Sequence, residues 1–500
     1  HFDGGQVFWG QDYPCDASIN RFDNNTCENQ ASAEPAGPRS KDFQSAWNGL
    51  QLFPDDPQLF SMYRPHSLVL TEDNCFLLQY YIQRVVKTFC VIPNSKSPWE
   101  AYLLPRALQR SGQLATCGST SYSGNALLHG ILSTSAYALS NTLRLSGFTE
   151  RADKWSQAGR ELHHGAIRLL NRSVLHETQK YKELLASMLS IIAVDLVSDN
   201  TDTCGIHLSG CEQLIRSTSR VKNQYSSKAR GLHRVFLYLR SIHDSTSLKG
   251  RVASRSACLE LSKTQGNSHE SDSTVSYSQL RFDDDEWLQT SQVSAADTAT
   301  VATMYGIPHS LLILMQKVVG LVKVVARFRE KHTGSLFSSD LNKICGLYNR
   351  IENEVMEWPI NAELLLLTNG LSSDVYAEIV RRQTRAFHNA VIIYFAQHVR
   401  LLHYSYLKHY VESVLLELEI IETIKKNADI HAGPLFWPAF IAASEAFNES
   451  LQICFRAWFK SVKVYGQYAP WAAKDITARV WNREGFPASC TTSEWRAVVE

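Results

Sequence analysis

Five hundred residues, 44% of them apolar and 20% charged, are more than one simple hydrophobic core organises and exclude a disordered chain, which leaves several domains or one extended assembly. With 50 basic against 49 acidic residues the formal net charge is +1, so the basic excess of a duplex-gripping surface is missing and this segment is not expected to hold DNA by itself. The 11 cysteines are odd in number and widely scattered, which argues against a secreted disulfide scaffold and for reduced, mostly buried thiols.

No charged-then-apolar leader opens the sequence, and the first residue is His1, so the chain is expected to begin inside a longer gene product. Residues 1–66 read as an irregular linker: Gly4-Gly5, Asn24-Asn25, Pro35, Pro38 and Pro54 break any periodicity, with Phe8 and Trp9 as docking points. Asn24, Asn171 and Asn448 begin Asn-x-Ser/Thr triplets, which carry no weight in a reducing compartment.

Helical text begins at Thr71. Thr71 can cap, Glu72 and Asp73 suit the positive first turn, and Leu77, Tyr80, Tyr81, Val85 and Phe89 form one apolar stripe. The stretch from Asn125 to Leu145 repeats the pattern and stops at Gly147. Further helices are expected around Ala152–Leu170, Tyr181–Val197 and Leu232–His243. Residues 261–302 turn polar and read as a long disordered insertion. Inside it, Phe282-Asp283-Asp284-Asp285-Glu286-Trp287 interleaves acidic with aromatic side chains, which suits an activation patch, although composition alone favours a solvated loop that packs one Trp.

The most apolar stretch, Leu311 to Ala326, contains Gln316, Lys317 and Lys323 and falls short of the roughly 20 mostly uncharged residues of a membrane span, so it reads as a core helix and no membrane partner is expected. Later, Phe387, Val391, Tyr394, Phe395, Val399 and Leu402 make one stripe. Val411, Val414, Leu415, Leu418 and Ile421 make another, with Glu412, Glu419 and Lys426 facing away. Strand-type alternation is scarce. The fold class is therefore all-α, a large helical domain of packed antiparallel helices with the disordered insertion.

Catalytic and metal motifs are missing. A binuclear zinc cluster opens C-x2-C-x6-C, and no C-x2-C occurs; Cys204 and Cys211 have the second spacing without the other ligands. His176-Glu177 and His269-Glu270 lack the second His of H-E-x-x-H, and the adjacent His163-His164 point apart on a helix, so each reads as a satisfied structural histidine. The run Gly118-Ser119-Thr120-Ser121-Tyr122-Ser123-Gly124 has no G-x-S-x-G and reads as a helix-capping loop. No P-loop or G-x-G-x-x-G exists. The chain is expected not to be an enzyme, to carry no catalytic residue, and to hold no metal or cofactor of its own.

The text Gly433-Pro434-Leu435-Phe436-Trp437-Pro438-Ala439-Phe440-Ile441-Ala442-Ala443-Ser444-Glu445-Ala446 has a clear physical sense. Pro438 suits a first helical turn, and Ala439, Ala442, Ala443 and Ala446 let a neighbouring helix come close. This text resembles a hallmark of the fungal-specific transcription factor domain of arginine-metabolism-regulator-like zinc-cluster proteins. In the same order, Leu77-Leu78-Gln79-Tyr80-Tyr81, Pro98-Trp99, Leu103-Leu104-Pro105, Ala126-Leu127-Leu128-His129-Gly130-Ile131-Leu132-Ser133, His207-Leu208-Ser209-Gly210-Cys211, Ala386 to Tyr394 and Val480-Trp481 are similar to other parts of that domain. Ala443-Ser444 departs from the family's Gly-Cys, which puts the close packing there in question.

The resemblance implies a regulatory domain over 67–485, followed by a 486–500 tail, in a nuclear regulator of RNA polymerase II transcription of metabolic genes. DNA would be reached only through an N-terminal zinc-cluster head outside this chain, with zinc held there, often as a homodimer. The transcription machinery or co-regulators are the expected partners. An effector cleft is sought at Trp437, Phe440, Tyr394 and Tyr404, for each of which a plain core role is the competing reading. The alternative function is a helical protein-interaction scaffold without any DNA-binding head.

Overall fold

Small residues set the helix spacing at the centre of this molecule. The computed structural model describes residues 71–176, 180–198, 203–220, 224–246, 302, 304–331, 338–369, 371, 373–466 and 481. The chain divides into two units, 1–36 and 37–500, and every described residue lies in the second. The 1–66 linker, the 486–500 tail and all of the 261–302 insertion but Ala302 lie outside the described residues.

Among the described residues there are 14 α-helices and no strand. They are α1 (Glu72–Tyr80), α2 (Leu104–Cys117), α3 (Tyr122–Leu145), α4 (Thr149–His176), α5 (Tyr181–Val197), α6 (Cys204–Ser219), α7 (Ser227–Thr246), α8 (His309–Lys331), α9 (Ser338–Met356), α10 (Ile360–Thr368), α11 (Asp374–Phe395), α12 (Tyr404–Asn427), α13 (Phe436–Ser444) and α14 (Glu449–Ser461). Thr71 caps α1, its hydroxyl accepting from Asn74 N at 3.2 Å, and Ser121 caps α3 by accepting from Gly124 N at 3.1 Å. The serine run is thus a capping loop, as its composition predicts. The stripe that begins on α1 continues through a π-turn (Tyr81–Val85) and a 3₁₀ turn (Val86–Phe89).

Helix α3 is the hub of the N-terminal half, packing on α1, α2, α4 and α5. Gly147, at φ 82°, ends the α3–α4 hairpin in the left-handed region that glycine adopts without strain. A Cβ on Gly130 would fall on the Ser190 side chain of α5, so the two helices run nearly backbone to backbone. Buried hydroxyls on α3 find partners across the seam. Ser133 donates to Gly159 O and Ser140 to Ala152 O, both at 2.7 Å, which satisfies these two hydroxyls while joining α3 to α4.

The C-terminal half is built on the α11–α12 pair, with α13 laid across both and α14 against α12 and α13. Asn141 on α3 links the halves: its amide donates to Val197 O and to Gly466 O, each at 3.0 Å. One continuous set of buried apolar side chains runs from Leu77 to Val462. Leu311 to Ala326 lies inside α8, a core helix as its charges predict, and no helix among the described residues is long and apolar enough to cross a membrane.

Candidate functional site

Helix α13 is nine residues long and almost wholly buried, because its alanines leave no bulk on the contact faces. Ala439, Ala442, Ala443 and Ala446 are each fully enclosed. Ala443 and Ser444 keep the close packing despite the departure from Gly-Cys: the Ser444 hydroxyl donates to Ile441 O at 2.7 Å, and the Trp481 indole donates to Ala443 O at 2.9 Å.

Trp437 is 0% exposed, and its ring lies 4.7 Å from Phe387 and 6.2 Å from Tyr394, both on α11. Seven residues separate Phe387 from Tyr394, so both lie on one helix face and bracket the indole. The indole nitrogen reaches in the other direction, donating to Ser245 Oγ at 2.8 Å in the last turn of α7. Phe440, one turn after Trp437, is buried, as is Tyr394. Tyr404 stands apart at 37% exposure, its ring 4.8 Å from Phe447, which is also exposed. Of the four rings the sequence nominates, three therefore share the core under α13 and Tyr404 lies at its edge. The patch from Phe282 to Trp287 lies outside the described residues.

Two charged groups support this region. Gln397 donates through Nε2 to Glu445 Oε1 at 2.6 Å; burial pushes the Glu445 carboxyl up to about 8 against the lowering effect of that bond. Lys425 on α12 is 2% exposed, and its ammonium donates to Glu422 Oε1 and to Gly433 O, both at 3.2 Å, fixing the loop that leads into α13.

A second constellation joins α4, α5 and α6. His163, Asp195 and His207 are all buried, and one ligand atom from each can be chosen so that all three lie within 4.8 Å of one another. Nε2 of His163 stands 3.6 Å from Asp195 Oδ1, and Nε2 of His207 stands 4.0 Å from Asp195 Oδ2. Neither is a hydrogen bond. Both nitrogens and Oδ2 have no hydrogen-bond partner among the described residues. Only Oδ1 is served, by the Thr203 hydroxyl at 3.1 Å. Burial pulls both imidazoles down to about 4, helped at His163 by the neighbouring His207 and His164, and burial lifts the Asp195 carboxyl well above its usual range against the Thr203 bond. The expectation of a satisfied structural histidine thus does not describe Nε2 of His163.

With this geometry in hand, comparison with known proteins finds the family described as "Fungal specific transcription factor domain" over residues 76–500. The chain belongs to that family. A curated relative is Arginine metabolism regulation protein II of Saccharomyces cerevisiae, 25% identical over 475 residues, covering 82% of this chain and 52% of the relative. The chain thus spans about half the length of that relative. No solved structure matches. As a fungal specific transcription factor domain, the chain has a role in transcription regulation, and its family and relative are regulators rather than enzymes.

None of the 11 cysteines of the sequence forms a C-x2-C pair. Sequence reasoning passed over Asp195 and the pairing of His163 with His207. The signal was there at Asp195: a lone carboxylate inside Leu189-Ser190-Ile191-Ile192-Ala193-Val194-Asp195-Leu196-Val197, a run otherwise free of charge.

Proposed function

We propose that this chain is the regulatory domain of a nuclear zinc-cluster transcription factor, and that it controls RNA polymerase II transcription of metabolic genes by binding an effector or a co-regulator. The family match over 76–500 carries this reading. The relative's role in arginine metabolism supports the metabolic targets. DNA contact falls to an N-terminal zinc cluster outside these residues, and dimer formation and contact with the transcription machinery belong to the same reading.

Under this proposal the aromatic group around Trp437 is the effector-responsive part. Three of its rings are buried, so a ligand first meets the exposed pair Tyr404 and Phe447, and reaches Trp437 only if α13 shifts on α11.

The test is a fusion of residues 1–500 to a heterologous DNA-binding domain in fungal cells carrying its reporter. Output should differ from that of the DNA-binding domain alone and should change with amino-acid supply. Tyr404→Ala with Phe447→Ala should weaken the nutrient response while leaving fusion abundance unchanged. Reporter output equal to the bare DNA-binding domain under every supply would sink the proposal.

A further inference from the structure

The structure assigns a zinc-binding site, independent of any cysteine cluster, to His163 on α4, Asp195 on α5 and His207 on α6. Its starting point is a polar group that the fold leaves unsettled. Asp195 is 0% exposed, and one of its oxygens has no hydrogen-bond donor. A buried carboxylate without full pairing is costly, and two imidazole nitrogens facing it without bonds add to the cost. Three orphaned polar atoms at one point are rare in a well-satisfied core.

The arrangement is too open for hydrogen bonds and suited to a shared ion. Zinc bonds of about 2.0–2.2 Å at tetrahedral angles place ligand atoms roughly 3.4 Å apart. His163 Nε2 stands 3.6 Å from Oδ1 and His207 Nε2 4.0 Å from Oδ2, and a set with one ligand atom per residue fits within 4.8 Å, so closing on an ion takes side-chain shifts of about an ångström. Two imidazoles and one carboxylate form a donor set that zinc accepts and that calcium and magnesium, which prefer oxygen, do not. The Thr203 hydroxyl on Asp195 Oδ1 orients the carboxylate as an outer-shell partner does.

Burial points to a closed structural site. The side chains of His163, His207 and Asp195 are at most 5% exposed. Closed zinc sites take four protein ligands. Cys204 is buried and stands three residues before His207 on one helix face, but its thiol lies outside the 4.8 Å set, so it would have to turn inward to fill the fourth position. A metal there would pin α4, α5 and the start of α6 together across the 199–202 connection.

Zinc titration of the metal-stripped 500-residue chain tests this. The wild-type chain should bind zinc with matching gains in melting temperature, both reversed by chelator. Asp195→Asn and His207→Gln should each weaken that binding by roughly 10–100-fold or more while keeping helical circular dichroism. Absence of zinc binding by the wild type, or equal binding and equal thermal shift in folded variants, overturns the site. If both variants fail to fold, X-ray absorption of the zinc-loaded wild type decides. A shell containing two imidazoles supports the assignment, and a shell without imidazole overturns it.

Discussion

The Trp437 indole donates to the Ser245 hydroxyl at 2.8 Å, across 192 residues of sequence. Ser245 in turn donates to Ile242 O at 2.7 Å, so one hydroxyl serves a helix end on one side and the buried indole on the other. Ser245→Ala leaves the indole N–H with no acceptor in a dry core and should cost about 1–3 kcal/mol in urea unfolding. A cycle with Trp437→Phe should give a coupling of at least about 0.5 kcal/mol. Additive single effects would show that the bond contributes nothing to docking α13 on α7.

Gly433 owes its identity to space, not to backbone freedom. A Cβ there would overlap the carbonyl oxygen of Thr88 and come within 2.8 Å of its carbonyl carbon, and a 3₁₀ backbone cannot swing aside as a side chain can. Gly433→Ala should destabilise by about 1–3 kcal/mol. Gly112 is the control. It is exposed in mid-helix with nothing near its Cβ position, so Gly112→Ala should stabilise by up to about 1 kcal/mol. Thermal melts of the pair should move in opposite directions; a shared direction defeats the steric account.

Lys425 tests how the loop before α13 is held. Its ammonium sits 5.4 Å from the Tyr465 ring centroid, and Tyr465 OH donates to Glu422 Oε2 at 2.7 Å, so lysine, glutamate and tyrosine form one closed group. Burial pulls the Lys425 ammonium down and Glu422 draws it back up. Lys425→Ala removes the stem and leaves Glu422 without its cation, which should cost about 3–5 kcal/mol. Lys425→Met keeps the stem, and adding Glu422→Gln to it should recover part of the loss. If the double variant is no more stable than Lys425→Met alone, the charge pair is not what Lys425 supplies.

Those three networks mark where sequence reasoning stopped. Helices were legible because their apolar stripes repeat locally: Tyr181–Val197 appears with the expected bounds, and Thr71 and Gly147 act as cap and stop. Glu412, Glu419 and Lys426 face solvent as their helix phase requires. Lys425 and Glu417 on the same helix do not follow from phase, since each is buried against a partner from another element: Gly433 O for Lys425 and Arg382 for Glu417. The candidate sites share that property. Trp437 meets Ser245, and His163 meets Asp195 and His207, only after helices far apart in sequence are packed, and no local period encodes those meetings. Asp195 does leave a local mark, because a charge in an apolar helix needs a partner somewhere, but that mark does not say which residues supply it.

Glu445 gives the domain a pH dependence of predictable sign. Burial lifts its carboxyl from the ordinary 4.5 to about 8, with Gln397 pulling the other way. Between these values the folded chain holds a proton that the unfolded chain has released, so Glu445 favours folding most below pH 4.5 and loses that contribution as pH rises through about 8. The slope from this one group is at most about 1.4 kcal/mol per pH unit inside the window. Glu445→Gln cannot titrate and keeps a group able to bond Gln397. Subtracting the two stability–pH curves from urea unfolding should therefore give a difference that is flat below pH 4.5, moves in favour of the variant through pH 8, and flattens again above it. A flat difference across the whole range would mean that Glu445 ionises at its ordinary pH in the folded chain, and that its contact with Gln397 holds a carboxylate rather than a protonated acid.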